Sequence, residues 1–421
     1  MPGSQKMNDR RAIASWCLYD FANSAYPTVI GTFIFGTYFT KAIAETPETG
    51  SAQLGWALGL SGMAVAVLSP VFGAIADQAG RRKPWLGGFT ALCVIATAFL
   101  WYATPNASSI LWALTFVAIA SAAFEFTMVF YNAMLPEIAP EGQFGAVSGW
   151  GWGLGYVGGL VALALCLVGF VQTDKPWFGL SKDNAENVRA VVLLVSVWFA
   201  VFSLPLFLFT PDRPSTGLSI TVSVRAGLGE LAQTIRQVRR HSNILWFLIA
   251  RMLYTDGLGT LFAFGGIYAA GTFGLALSEV ILFGIVLNVT AGLGAVSFAW
   301  LDDRIGAKPV IAISLLAMIG FGTALLIVES LTWFWGLGMA LGLFVGPAQS
   351  ASRSLMARLA PEAIRTEMFG LYAFSGKATG FLGPVALALV TTAFDSQRVG
   401  MGVVILFFVV GLLLLLRVRE V

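Results

Sequence analysis

A chain of 421 residues that is 57% hydrophobic and only 11% charged is not a set of soluble domains, which carry about 25% charged residues. The net charge of +3, without a basic tail or a basic–aromatic array, excludes a nucleic-acid partner. The cysteines Cys17, Cys93 and Cys166 are scattered through apolar segments and the single histidine, His241, lies in a basic stretch, so no metal site, cofactor or disulfide framework is expected.

Apolar runs of about 20 residues recur from end to end, the length a helix needs to cross a bilayer. Inside lipid the backbone must satisfy its own hydrogen bonds, and the alternating segments of a barrel are absent, so the expected fold is an all-α membrane protein. Arg10 and Arg11 precede a run that Asp20 and Asn23 interrupt, with no small-residue cleavage pattern, so it reads as a retained span and not a removed signal. Twelve spans are expected, near 12–42, 52–76, 84–104, 108–135, 145–172, 188–210, 244–271, 277–301, 309–328, 331–355, 367–393 and 398–416. They divide into two pseudo-symmetric six-helix bundles, 1–210 and 244–421, joined by a linker, 211–243.

Lys and Arg concentrate on the side of the termini. Only Lys41, Lys175, Lys182, Arg189 and Arg398 fall opposite, while Arg251 and Lys377 lie within spans. The positive-inside rule then puts both termini in the cytoplasm. In the linker, Gly227, Glu230, Ile235 and Arg239 suggest an amphipathic helix on the inner leaflet that joins the bundles; recruitment of a partner is the lesser reading.

Between the second and third runs stands Gly73-Ala-Ile-Ala-Asp77-Gln-Ala-Gly80-Arg81-Arg82-Lys83, and a weaker copy, Asp303-Arg304-Ile-Gly306, follows the eighth. Other pairs recur at nearly the same offset: Pro136-Glu137 with Pro361-Glu362, Phe144-Gly145 with Phe369-Gly370, Gly155 with Gly380 and Gly158 with Gly383. A set of matches at nearly one offset indicates a duplicated six-span unit.

The Gly73–Lys83 stretch resembles the signature loop of the major facilitator superfamily, and the two-half layout agrees over the whole chain. Within that superfamily, Ser15-Trp16-Cys-Leu-Tyr19-Asp20-Phe-Ala-Asn23-Ser24-Ala-Tyr26, Phe130-Tyr131-Asn132-Ala-Met-Leu-Pro136-Glu137 and Ser352-Arg353-Ser354-Leu-Met-Ala-Arg358 are similar to the autophagy-related vacuolar amino-acid effluxer-like family. The resemblance implies a solute transporter of the bacterial inner membrane, with amino-acid export the best-known activity of eukaryotic relatives. It also implies that spans one, four, seven and ten line a central cavity with eleven nearby, and that Asp77 and Asp303 bind near Phe369-Gly370 and Phe144-Gly145. Gly73, Asp77, Gly80, Arg81, Arg82, Asp303 and Gly306 are accordingly expected to form an inner gate, and Arg353, near the cytoplasmic end of its span, is either a gate contact or a ligand contact. Ala307 departs from the pattern, where a second-half motif would usually be more basic.

Ionisable side chains within spans are costly and normally face a cavity or a partner. Five stand out: Asp20, Glu125, Arg251, Asp256 and Lys377. Asp20, Asn23, Ser24 and Pro27 share a helix face beside Tyr19, either as a cavity wall or as packing bonds. Desolvation disfavours the charged form of a carboxylate, so Glu125, on one face with Asn132, is a proton carrier or else the partner of Arg251 or Lys377. Arg251, Tyr254 and Asp256 precede Gly257-Leu-Gly259, where the helix could unwind around a ligand. Arg251 can fork onto a substrate carboxylate or pair with Asp20 or Glu125. Gln349 shares a face with Arg353, and Lys377 is a cavity cation or snorkels to the interface. The Gly149–Gly159 run presents small residues on two faces for close helix contact.

No phosphate loop, catalytic triad or metal spacing occurs, so an enzyme is not expected. The reading is a monomeric secondary transporter that moves a small polar solute, an amino acid or peptide, by alternating access. Asp20, Glu125 and Asp256 are candidates for coupling to protons. A cation-linked sugar symporter is the rival in transport, since Gly80-Arg-Arg-Lys-Pro84-Trp85 suits that family too. A non-transporting ligand sensor or pigment-delivery protein is the rival of another class.

Overall fold

The computed structural model describes residues 10–236 and 242–419; Lys6, Arg239, Arg240 and His241 lie outside them. No strand occurs among the described residues, and eleven helices are long and apolar enough to cross a membrane. Numbered two to twelve, these spans are Thr49–Ala79, Lys83–Tyr102, Ala107–Ile138, Phe144–Val171, Asp183–Phe209, Ser242–Phe273, Glu279–Ile305, Ala307–Ile327, Leu331–Leu359, Glu362–Phe394 and Gln397–Leu415.

Span one is helical in four pieces, Arg10–Asn23, Tyr26–Phe33, Phe35–Tyr38 and Phe39–Ile43. Pro27 has no N–H to offer the preceding turn, and the chain continues with wider, π-type turns. Span seven runs unbroken through Gly257 and Gly259, so the unwinding expected there does not occur. The break is in span eleven instead, between the helices Arg365–Lys377 and Leu382–Phe394. Gly376, Gly380 and Gly383 weaken the helix there, and Pro384 is tolerated only in the first turn of the second half.

Spans one to six pack mainly on one another, as do seven to twelve, and the two sets meet along two seams. Span two lies against eleven, and span five against eight and ten. At the first seam a Cβ on Gly73 would stand 2.5 Å from the Thr366 carbonyl oxygen, so only glycine permits this approach. At the second, Gly149 and Gly153 abut span eight, while Gly151, Gly155 and Gly159 abut span one. The two small-residue faces of span five thus serve different neighbours.

The linker is also structured. Asp212 accepts hydrogen bonds from the backbone N–H of Arg82 at 3.0 Å and Lys83 at 3.4 Å, capping span three. The helix Ile220–Arg236 packs on span two, with Gly227 against the Ile75 backbone and Gln78 donating to Glu230. Gly80 ends span two at φ 86°, ψ −51°, with the Pro214 carbonyl packed where a Cβ would be. Gly80→Ala is therefore expected to destabilise the protein by at least about 1–2 kcal/mol, seen as a lower Tm in detergent. An unchanged Tm would show that the turn relaxes freely.

Candidate functional site

One of the most buried charges among the described residues joins the two bundles. Arg353 of span ten donates from Nη1 to Asp20 Oδ2 at 2.9 Å, and the same nitrogen lies 3.4 Å from Asn132 Oδ1. Its Nε donates to Ser148 Oγ at 2.9 Å and its Nη2 to the Ser148 carbonyl at 2.6 Å. Ser148 Oγ in turn donates to the Ser350 carbonyl at 2.7 Å, and the guanidinium lies 4.7 Å from the centre of the Trp16 ring. Arg353 is 1% and Asp20 5% exposed, so the pair is sealed from water and forms a plug on the linker side. Such burial is tolerable only because nearly every donor has a partner. Tyr19 and Asn23 support it: Tyr19 is hydrogen-bonded to Thr90 Oγ1 at 2.6 Å and stacks on Tyr131, and Asn23 donates to Asp20 Oδ1 at 3.4 Å.

Beyond the plug, a cavity of about 390 Å³ opens between spans one, five, seven, eight and ten. Its polar groups come from Ser24, Thr28, Trp152, Tyr156, Asn288 and Gln349, and its aromatic walls from Phe33, Phe262 and Phe283. Tyr156 donates to Gln349 Oε1 at 2.7 Å across the bundles, and Trp152 Nε1 has no hydrogen-bond partner among the described residues. No charged side chain lines this space. Of the residues expected to bind substrate, Ser24 and Gln349 line it. Trp152, Tyr156 and Asn288 were not anticipated as lining residues, because an uncharged side chain in an apolar run gives no electrostatic cue. A larger groove, about 920 Å³, runs beside spans one, five and eight and shares Tyr156, Leu160 and Asn288 with this cavity.

The remaining charges sit elsewhere. Glu125 of span four and Lys377 of span eleven form an ion pair across the bundles at 2.7 Å, with the side chains 23% and 38% exposed. Arg251 stays within the second bundle: it lies 3.4 Å from the centre of the Tyr372 ring and donates to the Tyr372 carbonyl at 2.6 Å and Ser375 Oγ at 2.8 Å. Tyr254 is hydrogen-bonded to Ser352 Oγ at 2.7 Å. Asp256 accepts from the backbone N–H of Gly383, at the break in span eleven, at 3.2 Å. The pairing of Arg251 with Asp20 or Glu125 does not form; Arg353 and Lys377 take those acids.

On the linker face the two loop motifs make mirror contacts. Asp77 accepts from Thr366 Oγ1 at 2.5 Å and from the Glu367 N–H at 2.9 Å, at the start of span eleven. Asp303 accepts from the N–H groups of Gly145 and Ala146, both at 2.7 Å, at the start of span five. In each case a carboxylate sits on a helix N-terminus, where backbone donors and the helix dipole both favour it. The contact on span eleven falls at Thr366 and Glu367, just ahead of Phe369-Gly370.

Around Asp77 the network is denser than the motif implies. Arg82 pairs with Asp77 at 3.3 Å and with Glu137, and donates to Thr366 Oγ1 at 2.7 Å. Arg213 of the linker pairs with Glu137 and donates to the Glu362 carbonyl at 3.3 Å. Arg358 holds Asp302 at 2.7 Å and Asp303 at 3.3 Å. Arg81 is exposed, and Gly306 supplies the second turn at φ 95°. Glu137 and Glu362 were visible as repeated Pro-Glu pairs; Arg213 carried no signal. No group of three or more His, Cys, Asp or Glu suited to a metal occurs among the described residues.

This arrangement of helices has counterparts in known proteins. The fold resembles the major facilitator superfamily transporter FucP in its outward conformation, with TM-score 0.74 and 14% identity over 98% of this chain and 100% of that one. The proton:xylose symporter XylE gives TM-score 0.73 and 14% identity over 97% and 95%. At these identities the likeness shows the fold: two six-helix bundles of the major facilitator type. The chain is 27% identical to the uncharacterized MFS-type transporter YxiO of Bacillus subtilis over 409 residues, 96% of this chain and 94% of that protein. It is 25% identical over 277 residues, 60% of this chain, to autophagy-related protein 22-1 of Aspergillus fumigatus, but the match spans only 44% of that longer protein. Proteins of this fold and family are membrane transporters and not enzymes. Residues 54–420 match the family described as vacuole effluxer Atg22 like, and the chain belongs to that family.

Proposed function

We propose that the protein carries a small polar solute, an amino acid or short peptide, by alternating access between two bundles bounded at 1–210 and 244–421. The observation that carries this reading is the cavity of about 390 Å³ at the bundle interface, where Ser24, Tyr156, Asn288 and Gln349 stand in a mostly apolar wall, closed on one side by the Arg353–Asp20 plug. A pocket of this size suits one small solute. The Glu125–Lys377 pair supports a zwitterion, because it offers opposite charges at 2.7 Å that substrate ammonium and carboxylate groups can each replace. We assign Ser24 and Gln349, which line the cavity, to substrate, Glu125 and Lys377, which lie outside it, to a charged contact that substrate reaches by parting the pair, and the Asp77 and Asp303 contacts to the gate. The Lys and Arg bias supports cytoplasmic termini in a bacterial inner membrane, and we take the working unit to be the monomer.

Amino acids, dipeptides and sugars screened by thermal shift, with flux of the hits in proteoliposomes, test this. Amino acids or peptides should stabilise the protein and be transported. Sodium-dependent sugar flux would replace the reading with a sugar symporter; stabilisation without flux would replace it with a sensor or pigment-delivery protein. If Lys377 contacts the carboxylate through a charged hydrogen bond of about 1.5–3 kcal/mol, Lys377→Gln will weaken binding of the hit roughly ten- to hundredfold. Unchanged affinity would remove Lys377 from the site.

A further inference from the structure

Besides Glu137, which lies 4.0 Å from Arg365, span eleven meets three acids along its length. Asp77 holds its start at Thr366 and Glu367, Glu125 pairs with Lys377 at the end of its first half, and Asp256 meets Gly383 at the start of its second half. The first two acids have cations. Asp256 forms no ion pair among the described residues, although it is only 5% exposed within a span.

The titratable groups on the elements packed around Asp256 are engaged elsewhere. On its own span, Arg251 stacks on Tyr372, Tyr254 bonds Ser352 and Tyr268 donates to the Leu325 carbonyl. On span eleven Lys377 is held by Glu125. On span ten Arg353 is held by Asp20, and on span eight Asp302 by Arg358. On span twelve Arg398 donates to the Leu326 carbonyl and Arg417 stacks on Trp246.

A second observation comes from the next turn of span seven. Thr260 is 1% exposed, and its hydroxyl has no hydrogen-bond partner among the described residues. That hydroxyl points at the same spot: a Cβ on Gly383 would collide with Thr260 Oγ1 and lie 3.0 Å from Asp256 Oδ1. Glycine at 383 keeps the space between carboxylate and hydroxyl clear. An ionised carboxylate only accepts hydrogen bonds, whereas a protonated one also donates. The Thr260 hydroxyl both donates and accepts, so by turning it can donate to ionised Asp256 or accept from the neutral acid and serve either state.

We propose that Asp256 is the proton-carrying group of this transporter, with the Thr260 hydroxyl serving both its protonation states and the Gly383 N–H favouring the ionised one. The carboxylate takes a proton from the aqueous phase on one side and returns it on the other, with no other bond made or broken. A metal cation suits the place less well: it would have two side-chain oxygens and a helix N-terminus, whose dipole repels positive charge, facing it. Protonation weakens the charge-assisted bond to Gly383 and so frees the second half of span eleven. Because the first half carries the Lys377–Glu125 pair and the Asp77 contact, the charge on Asp256 biases the linker-face gate across the break in span eleven.

The inference rests on the alternating-access reading, and its test needs no substrate. The reconstituted full chain, spin-labelled at the linker-face ends of spans five and eight, is measured by double electron–electron resonance from mildly acidic to mildly alkaline pH. The wild type should shift its distance distribution through a single proton transition. Asp256→Asn, which keeps an acceptor for Gly383, should hold the low-pH distribution at every pH. Thr260→Val removes a hydroxyl whose hydrogen bond to the ionised form is the stronger one, and should move the transition to higher pH. Asp256→Asn titrating like the wild type would overturn the proposal, as would sodium reproducing the wild-type shift at fixed pH. Gly73→Val, which opens the face sterically, separates the two failures. If it opens the face while pH does not, only this inference falls; if neither opens it, alternating access falls too.

Discussion

Arg353→Met is expected to give the largest loss of stability of any single substitution considered above, about 3–5 kcal/mol, read as a fall in Tm of the detergent-purified protein. The change removes the one cation facing Asp20, which is 5% exposed, and leaves Ser148 and Asn132 without their shared donor. An unpaired carboxylate at that depth must take up a proton or draw in water. The cause is separable from lost packing, because methionine fills much of the arginine volume. The double variant Asp20→Asn/Arg353→Met removes both charges and should recover most of the lost Tm, since a neutral replacement for a buried pair is often no less stable. Transport should stay low in both variants, because the plug that closes the linker side is gone. If the double variant melts no higher than Arg353→Met, the pair's charge is not what holds the bundles together.

Gly73→Val should leave folding intact within each bundle but abolish transport. Its side chain would occupy space held by the Thr366 carbonyl and the Glu367 backbone, where a Cβ already stands 2.5 Å from oxygen. Backbone cannot yield as a flexible side chain can, so span eleven must move off span two. Thr366 and Glu367 then leave Asp77, and the linker face stays open. Asp77→Asn should be milder: it keeps an acceptor for the Glu367 N–H, which is now 2.9 Å away, but loses the charge that Arg82 and the helix dipole favour. Transport should fall while binding of a stabilising ligand persists in both. Distances across the linker face, measured by spin labels, and ligand-induced Tm shifts check this. Normal cycling of Gly73→Val, or lost ligand binding with normal cycling in Asp77→Asn, would refute the assignment of these residues to a gate.

Much of the architecture was legible in the residues, because a bilayer imposes a length and polarity rule on each span independently of its neighbours. The positions of the spans, the duplicated unit and the two acid–glycine turns follow from local pattern. The break in span eleven was also encoded locally, by Gly380, Gly383 and Pro384, yet Gly257 and Gly259 drew attention to span seven instead. Glycine in a helix has two uses, and packing decides between them: Gly257 lies against the ring of Phe408, so its helix stays intact.

The ionisable residues in the spans could be named from the chain alone, but not what they do. Asp20 and Arg353 stand 333 positions apart, and the choice of Arg353 over Arg251 rests on contacts of a few ångströms made only when span ten meets span one. Arg251, equally charged and equally intramembrane, is taken by the ring of Tyr372 and never reaches an acid. The chain by itself determined that charge must be hidden in these helices, since hydropathy and helical spacing are local properties. The tertiary structure decided which charges cancel and left buried Asp256 without an ion pair among the described residues, because an ion pair depends on separation through space.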